Sequence, residues 1–212
     1  VKNANYAKLT TGLILVWFLF SLAASTLHLF RTSPDQPPLP LGLAVLIPIG
    51  IFLVWAAASQ PFRQFLFSLN PSTLTYIQAW RIAGFVFLAL YSYRILPGQL
   101  ALPAGWGDIA IGFTAPFVAM NLANPQFRKS FIFWQLLGIT DLVTAVGMGV
   151  ASGFINPHGI PTSAMTVLPM SLIPTFAVPL FMILHFTCIG QARQWHEVQS
   201  QAIGKPLQTT AL

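Results

Sequence analysis

Six apolar runs, each long enough to cross a bilayer as a helix, limit what this chain can become. They are Leu9–Phe30, Leu41–Ser59, Ser72–Arg94, Ala104–Leu122, Ser130–Ser152 and Ala164–Gly190. A helix rising about 1.5 Å per residue needs roughly 20 apolar residues to span ~30 Å of hydrocarbon. Backbone polar groups inside lipid must be satisfied within the segment, which selects helices. Only 7% of the residues are charged, against about 25% in soluble domains. The prediction is an all-α polytopic membrane protein: a bundle of six transmembrane helices in residues 1–190, followed by a polar cytoplasmic tail, 191–212.

These proportions exclude a soluble globular domain. The net charge of +6 does not point to nucleic acid, because the ten basic residues are scattered and form no patch. A lone cysteine, Cys188, excludes an intrachain disulfide and a multi-cysteine metal site. In its apolar helix it reads as a small buried hydrophobe. Lys2 and Lys8 before Leu9–Leu22, with Ala23, Ala24 and Ser25 after, have the look of a signal peptide. We read this segment as the first span.

Between the second and third spans, Phe62, Phe65, Leu66 and Leu69 recur at helical spacing, with Arg63, Gln64 and Ser68 opposite. This predicts a short interfacial helix on the cytoplasmic side, from which Phe67 departs. Asn70-Pro71 is an N-cap followed by proline at the first helical position. Turns are expected at the Pro-rich stretch Arg31–Pro40, at Ile95–Pro103, at Asn124-Pro125 and at Gly153–Thr162. The last run contains Pro169, Pro174 and Pro179. It is expected either as a bent helix or as a short surface piece followed by a span. Lys2, Lys8, Arg63, Arg128, Lys129, Arg193 and Lys205 fall on one side, and Arg31 and Arg94 on the other. That partition places both termini in the cytoplasm.

Arg81 and Asp141 lie well inside spans, where a charge costs roughly 2.5–3.5 kcal/mol on insertion scales. The third and fifth spans run in the same direction, and both residues fall about 12–15 Å deep. At ~4 Å and an effective dielectric of about 20 their attraction is near 4 kcal/mol, offsetting much of that cost. Gln78, one turn from Arg81, with Gln135 and His185, completes a buried polar layer in the cytoplasmic half. Such a layer suits either a proton, ion or small-anion site, or a structural ion pair that fixes helix order. Asp141, Ala145, Gly149 and Gly153 are spaced by four, with Gly138 nearby. This small-residue face turns the aspartate toward protein.

A second, outer pair is expected between Arg94, at the end of the third span, and Asp108, at the start of the fourth. Tyr91, Tyr93 and Trp106 fit an interfacial aromatic belt. His28 and His185 fall at opposite membrane ends, so haem is not expected. Pro48, Pro116, Pro174 and Pro179 free the carbonyls of Ala44, Gly112, Met170 and Thr175. Such carbonyls either coordinate cations or simply mark kinks. No zinc, nucleophile-elbow or phosphate-loop motif occurs. No metal cluster and no span lysine for a retinal Schiff base are expected.

Gln78-x-x-Arg81, Leu96-Pro97-Gly98, Gly107-Asp108-Ile109, Gly112, Ala115 and Pro116 lie within Gln78–Ala119. The combination resembles a family of uncharacterised bacterial multi-pass membrane proteins of similar length. The resemblance continues through Trp134, Gly138 and His185 and covers roughly Tyr76–Gln191. It implies a bacterial inner-membrane location and no established activity. In the proteins it resembles, the position of Asp141 is often apolar, which implies Arg81 pairing with Asp108 or His185.

The residues thus point first to a non-catalytic accessory or scaffold subunit of a larger membrane complex. Its partners would be lipids and other membrane subunits, or further copies of itself. The alternative is a small proton- or ion-coupled permease built on Arg81, Asp141, Gln78, Gln135 and His185.

Overall fold

The computed structural model describes residues 2–32, 39–156 and 158–203, and of 2–4, 153 and 196–203 the backbone alone. The core of the Pro-rich stretch, Pro157, and the tail from 204 with Lys205 lie outside the described residues. So do the side chains of Lys2 and His196, and the surroundings of Gly153. Among the described residues every regular element is helical. They are α1 (Lys2–Thr26), α2 (Leu39–Ala58), α3 (Gln60–Ser68), α4 (Pro71–Ser92), α5 (Gly98–Asn121), α6 (Arg128–Ile155) and α7 (Val178–Ile203).

Five helices are long and apolar enough to cross a membrane: α1, α2, α4, α6 and α7 with the turn that leads into it. The fourth expected span lies in α5, which is 24 residues long but diluted by glycines, Pro103, Pro116 and Asp108. The first helix starts before Leu9, and the fourth starts at Gly98 rather than Ala104. The long last run divides into a 3-10 turn, Ser163–Thr166, a wide π turn, Ile173–Ala177, and α7. The run is thus broken ahead of α7, and Met165 and Thr166 of the 3-10 turn are buried rather than on the surface. The polar segment after Gly190 continues α7 as far as Ile203.

α5 sits between α4 and α6, and α7 closes the group against α4 and α6. α5 fits there because Ala101, Ala104, Gly105, Ile111, Gly112, Ala115, Val118 and Ala119 bury a stripe of mostly small side chains. Two apolar clusters lie along this four-helix core. Ile111, Ala115, Phe131, Trp134 and Cys188 fill one, and Phe87, Leu96, Leu100, Ala104 and Met165 fill the other.

α3 seals one end of the bundle. Ser59 Oγ accepts from the Phe62 N–H, 3.3 Å, and Pro61 occupies the first turn. Phe62, Phe65 and Leu66 are buried against Tyr6, Phe52 and Trp55, with Trp55 stacked on Phe62 at 3.9 Å between centroids. Gln191 Nε2 donates to the carbonyls of Leu66, 2.9 Å, and Leu69, 2.8 Å. Arg128 Nε donates to the Ala192 carbonyl, 2.8 Å. The start of α6 and the far part of α7 therefore meet at this same end.

α4 is not uniform. Asn70 Oδ1 caps it by accepting from Ser72 and Thr73 N–H, and Pro71 opens it. From Gln78 to Gly84 the helix tightens to 3-10 before resuming as an α-helix. A 3-10 stretch within a helix marks strain or a functional hinge, and Arg81 is at its centre.

Candidate polar centre between four helices

The Arg81 side chain has no solvent-accessible surface, yet every nitrogen of its guanidinium has a partner. Nε donates to Asp108 Oδ1, 2.7 Å, from α5. One terminal nitrogen donates to the Gly138 carbonyl, 3.3 Å, and faces His185 Nε2, 3.2 Å. The other donates to Asp141 Oδ2. One guanidinium thus joins α4, α5, α6 and α7, using the planar fork that distinguishes arginine from lysine.

The arginine fixes the histidine. A guanidinium offers only donors, so His185 Nε2 must present its lone pair, and the ring proton is on Nδ1. Nδ1–H then donates to Gln135 Oε1, 2.5 Å. Gln135 Nε2 in turn donates to Thr75 Oγ1, 3.2 Å, and Thr75 Oγ1 lies 3.8 Å from Cys188 Sγ. Donation runs one way from Arg81 through His185 and Gln135 to Thr75, whose hydroxyl also meets Cys188. Bonds so aligned polarise one another in a low-dielectric interior.

Glycines make the room. A Cβ on Gly138 would overlap the His185 ring, and one on Gly107 would overlap the Asp141 carboxylate. On Gly84 it would strike Asp108, and on Gly112 it would strike the Arg81–Ile82 backbone. Trp134 packs against His185, with centroids 5.8 Å apart, and is held by its Nε1–H bond to Thr114 Oγ1, 2.9 Å.

The structure brings together Arg81, Asp141, His185 and Gln135, and adds Asp108, which the sequence placed elsewhere. The outer pair Arg94–Asp108 does not form. α5 begins at Gly98, so Asp108 lies about 15 Å along it, level with Arg81. Arg94 instead occupies a left-handed cap of α4, at φ 56°, and is exposed. His185 is not near a helix end, because the apolar part of α7 runs on to Trp195. Gln78 stands apart from the centre. Its Nε2 donates to the Phe181 carbonyl, 3.2 Å, and its buried Oε1 has no partner. Thr75 and Thr114 were missed, since a single hydroxyl on a helix gives no signal without its neighbours.

Among the described residues no three of His, Cys, Asp and Glu are grouped to hold a metal. Arg81 fills the space between the two aspartates, and both nitrogens of His185 have partners. The carbonyl freed by Pro179, that of Thr175, accepts from Trp17 Nε1, 3.1 Å, and Ser21 Oγ, 3.3 Å. It ties α1 to the bundle.

The Asp108 and Asp141 side chains remain 16% and 12% accessible. The centre thus holds one inaccessible cation and two anions that can still be reached. A family model for a domain of unknown function (DUF8737) matches residues 36–193, from the approach to α2 into α7, and so includes the whole centre. No curated protein and no solved structure matches the chain.

Proposed function

The chain belongs to that family, and we propose that it is a small permease of the bacterial inner membrane whose Arg81 centre exchanges a proton. In this reading six helices cross the membrane, α5 being the sixth, and both termini are cytoplasmic. At 24 residues α5 is about 36 Å long, enough to cross. Lys8, Arg63, Arg128, Lys129 and Arg193 on one side, against Arg31 and Arg94 on the other, support the orientation. α3 then lies on the cytoplasmic surface.

The charge count is the observation that supports proton exchange. One guanidinium faces two carboxylates, and the histidine beside it is neutral. With both acids ionised, one negative charge is uncompensated in the membrane interior, at a cost of several kcal/mol. A proton on Asp108 or Asp141 removes it. A structural cross-link would need one acid. Two acids around one sealed arginine suit a site that can gain and lose a proton. A pH jump applied to proteoliposomes on a solid-supported membrane tests this. The wild-type chain gives a transient current, and Asp108→Asn with Asp141→Asn abolishes it. A silent wild-type chain would rule the permease out.

The accessory or scaffold role is the second reading. It is supported by α2, whose Leu43, Leu46, Ile47, Ile51 and Val54 are exposed and need lipid or another subunit against them. A native pull-down that recovers a stoichiometric membrane partner, with no pH-jump current, would favour it.

A further inference from the structure

Beside the polar centre, α4 and the π turn leading into α7 part to leave a cavity of about 350 Å³. Trp80, Phe87, Phe176, Leu180 and Phe181 line it, together with Asp108 and Arg81. Trp80, on its rim, is 76% exposed on the outside of the bundle. The opening is therefore lateral, toward acyl chains if the helices cross a bilayer.

We propose that this cavity binds a lipophilic cation, an apolar body bearing one quaternary or protonated amine, that enters from the lipid. The volume lies at the small end of the range for small-molecule sites. The walls are almost wholly apolar, so most of the occupant must be apolar too. Of the two ionisable residues in its lining, only the acid keeps accessible side chain. Arg81 has no accessible surface, whereas Asp108 has its Oδ1 on Arg81 and keeps 16% of its side chain open. An anion would meet this carboxylate first and be repelled. A cation would complete the neutralisation that Arg81 alone leaves unfinished, and the aromatic walls would stabilise it through their ring faces. Cation and proton then compensate the same surplus charge, so one replaces the other. The assignment names the substrate class of the proposed permease and rests on that reading for the coupling, though not for the binding itself.

The test is equilibrium binding of radiolabelled benzyltrimethylammonium to the full chain in phosphatidylcholine nanodiscs. Unlabelled benzyltrimethylammonium and its uncharged isostere, neopentylbenzene, serve as competitors. Saturable binding is expected, displaced by the cation and not by the isostere. Asp108→Asn should weaken it about tenfold or more. Ala83→Trp, which fills the cavity from a rim position outside the hydrogen-bonded centre, should abolish it. Absence of saturable binding, equal displacement by neopentylbenzene, or unchanged binding in Ala83→Trp would overturn the proposal. Calorimetry in two buffers of different ionisation enthalpy counts the protons released per cation bound. Binding without proton release would uphold the cation site and overturn the proton-exchange reading. A pH-jump current without cation binding would do the reverse.

Discussion

The imidazole of His185 rests on the bare backbone of Gly138. A Cβ there would overlap ring atoms Cε1 and Nε2, and the Gly138 carbonyl accepts from the same Arg81 nitrogen that faces Nε2. The glycine thus sets how closely α6 approaches α7 at the level of the centre. Gly138→Ala is expected to push the ring away, break its bonds to Arg81 and Gln135, and destabilise the fold by about 1–3 kcal/mol. Thermal unfolding in detergent would read this as a lowered Tm. Gly147→Ala, on the same helix with open space around it, should leave Tm unchanged or slightly raised.

Removing the guanidinium alone should be worse than removing the whole charged cluster. Arg81→Leu leaves two partly buried carboxylates without their cation, and breaking a buried network from one side costs roughly 3–5 kcal/mol. Little folded protein is expected. Arg81→Leu with Asp108→Leu and Asp141→Leu removes every uncompensated charge and should recover most of the folded yield, since apolar replacements of buried ion clusters are tolerated. That triple variant should still be silent to a pH jump. Folded yield and Tm of the single and triple variants decide the matter. Equal yields would show that the cluster does not organise the helices.

What the sequence conveyed, and what it did not, follows from the physics of helix ends. Arg81 and Asp141 could be located because charge is rare in such runs and depth is counted along a rigid rise. α3 was legible from its helical spacing, and its N-cap serine and its proline behave as those residue types do. Asp108 was misplaced because Pro103 read as a turn. In fact α5 passes through Pro103, which forfeits one backbone bond, and starts at Gly98. His185 lies further from the helix end than the sequence suggests for the converse reason, since polar residues after Gly190 read as a tail while α7 continues through them. The link from His185 through Gln135 to Thr75 depends on the rotation of three helices about their axes. No single run encodes that; the structure shows that the glycines at 84, 107, 112 and 138 lie where the helices come close.

Trp17 and Ser21 replace the N–H that Pro179 lacks. Both donate to the Thr175 carbonyl, and the Trp17 ring also packs on Phe176, with centroids 4.9 Å apart. Trp17→Phe keeps most of the packing and loses one bond, at about 1 kcal/mol. Trp17→Phe with Ser21→Ala leaves a buried carbonyl unsatisfied and should cost about 1–3 kcal/mol. Adding Pro179→Ala to that pair restores a main-chain donor and should recover part of the loss. Tm values of the three variants measure it. No recovery would mean that the turn cannot regain its own hydrogen bond.

Arg94 ends α4 in a conformation that suits glycine. Its φ is 56°, the Arg94 N–H bonds the Tyr91 carbonyl at 2.9 Å, and the Ile95 N–H reaches the Leu90 carbonyl at 2.8 Å. This is a left-handed cap, and a side chain there costs about 1–2 kcal/mol. Glycine removes that cost but gives back roughly 0.5–1 kcal/mol through the freedom it adds to the unfolded chain. Arg94→Gly is therefore expected to stabilise the protein by about 0.5–1 kcal/mol, seen as a small rise in Tm. The pH-jump current should persist, because Asp108 is bound to Arg81 and not to Arg94. A fall in Tm would instead reveal that the Arg94 side chain makes a stabilising contact at this end of the bundle, the role that an ion pair with Asp108 would have given it.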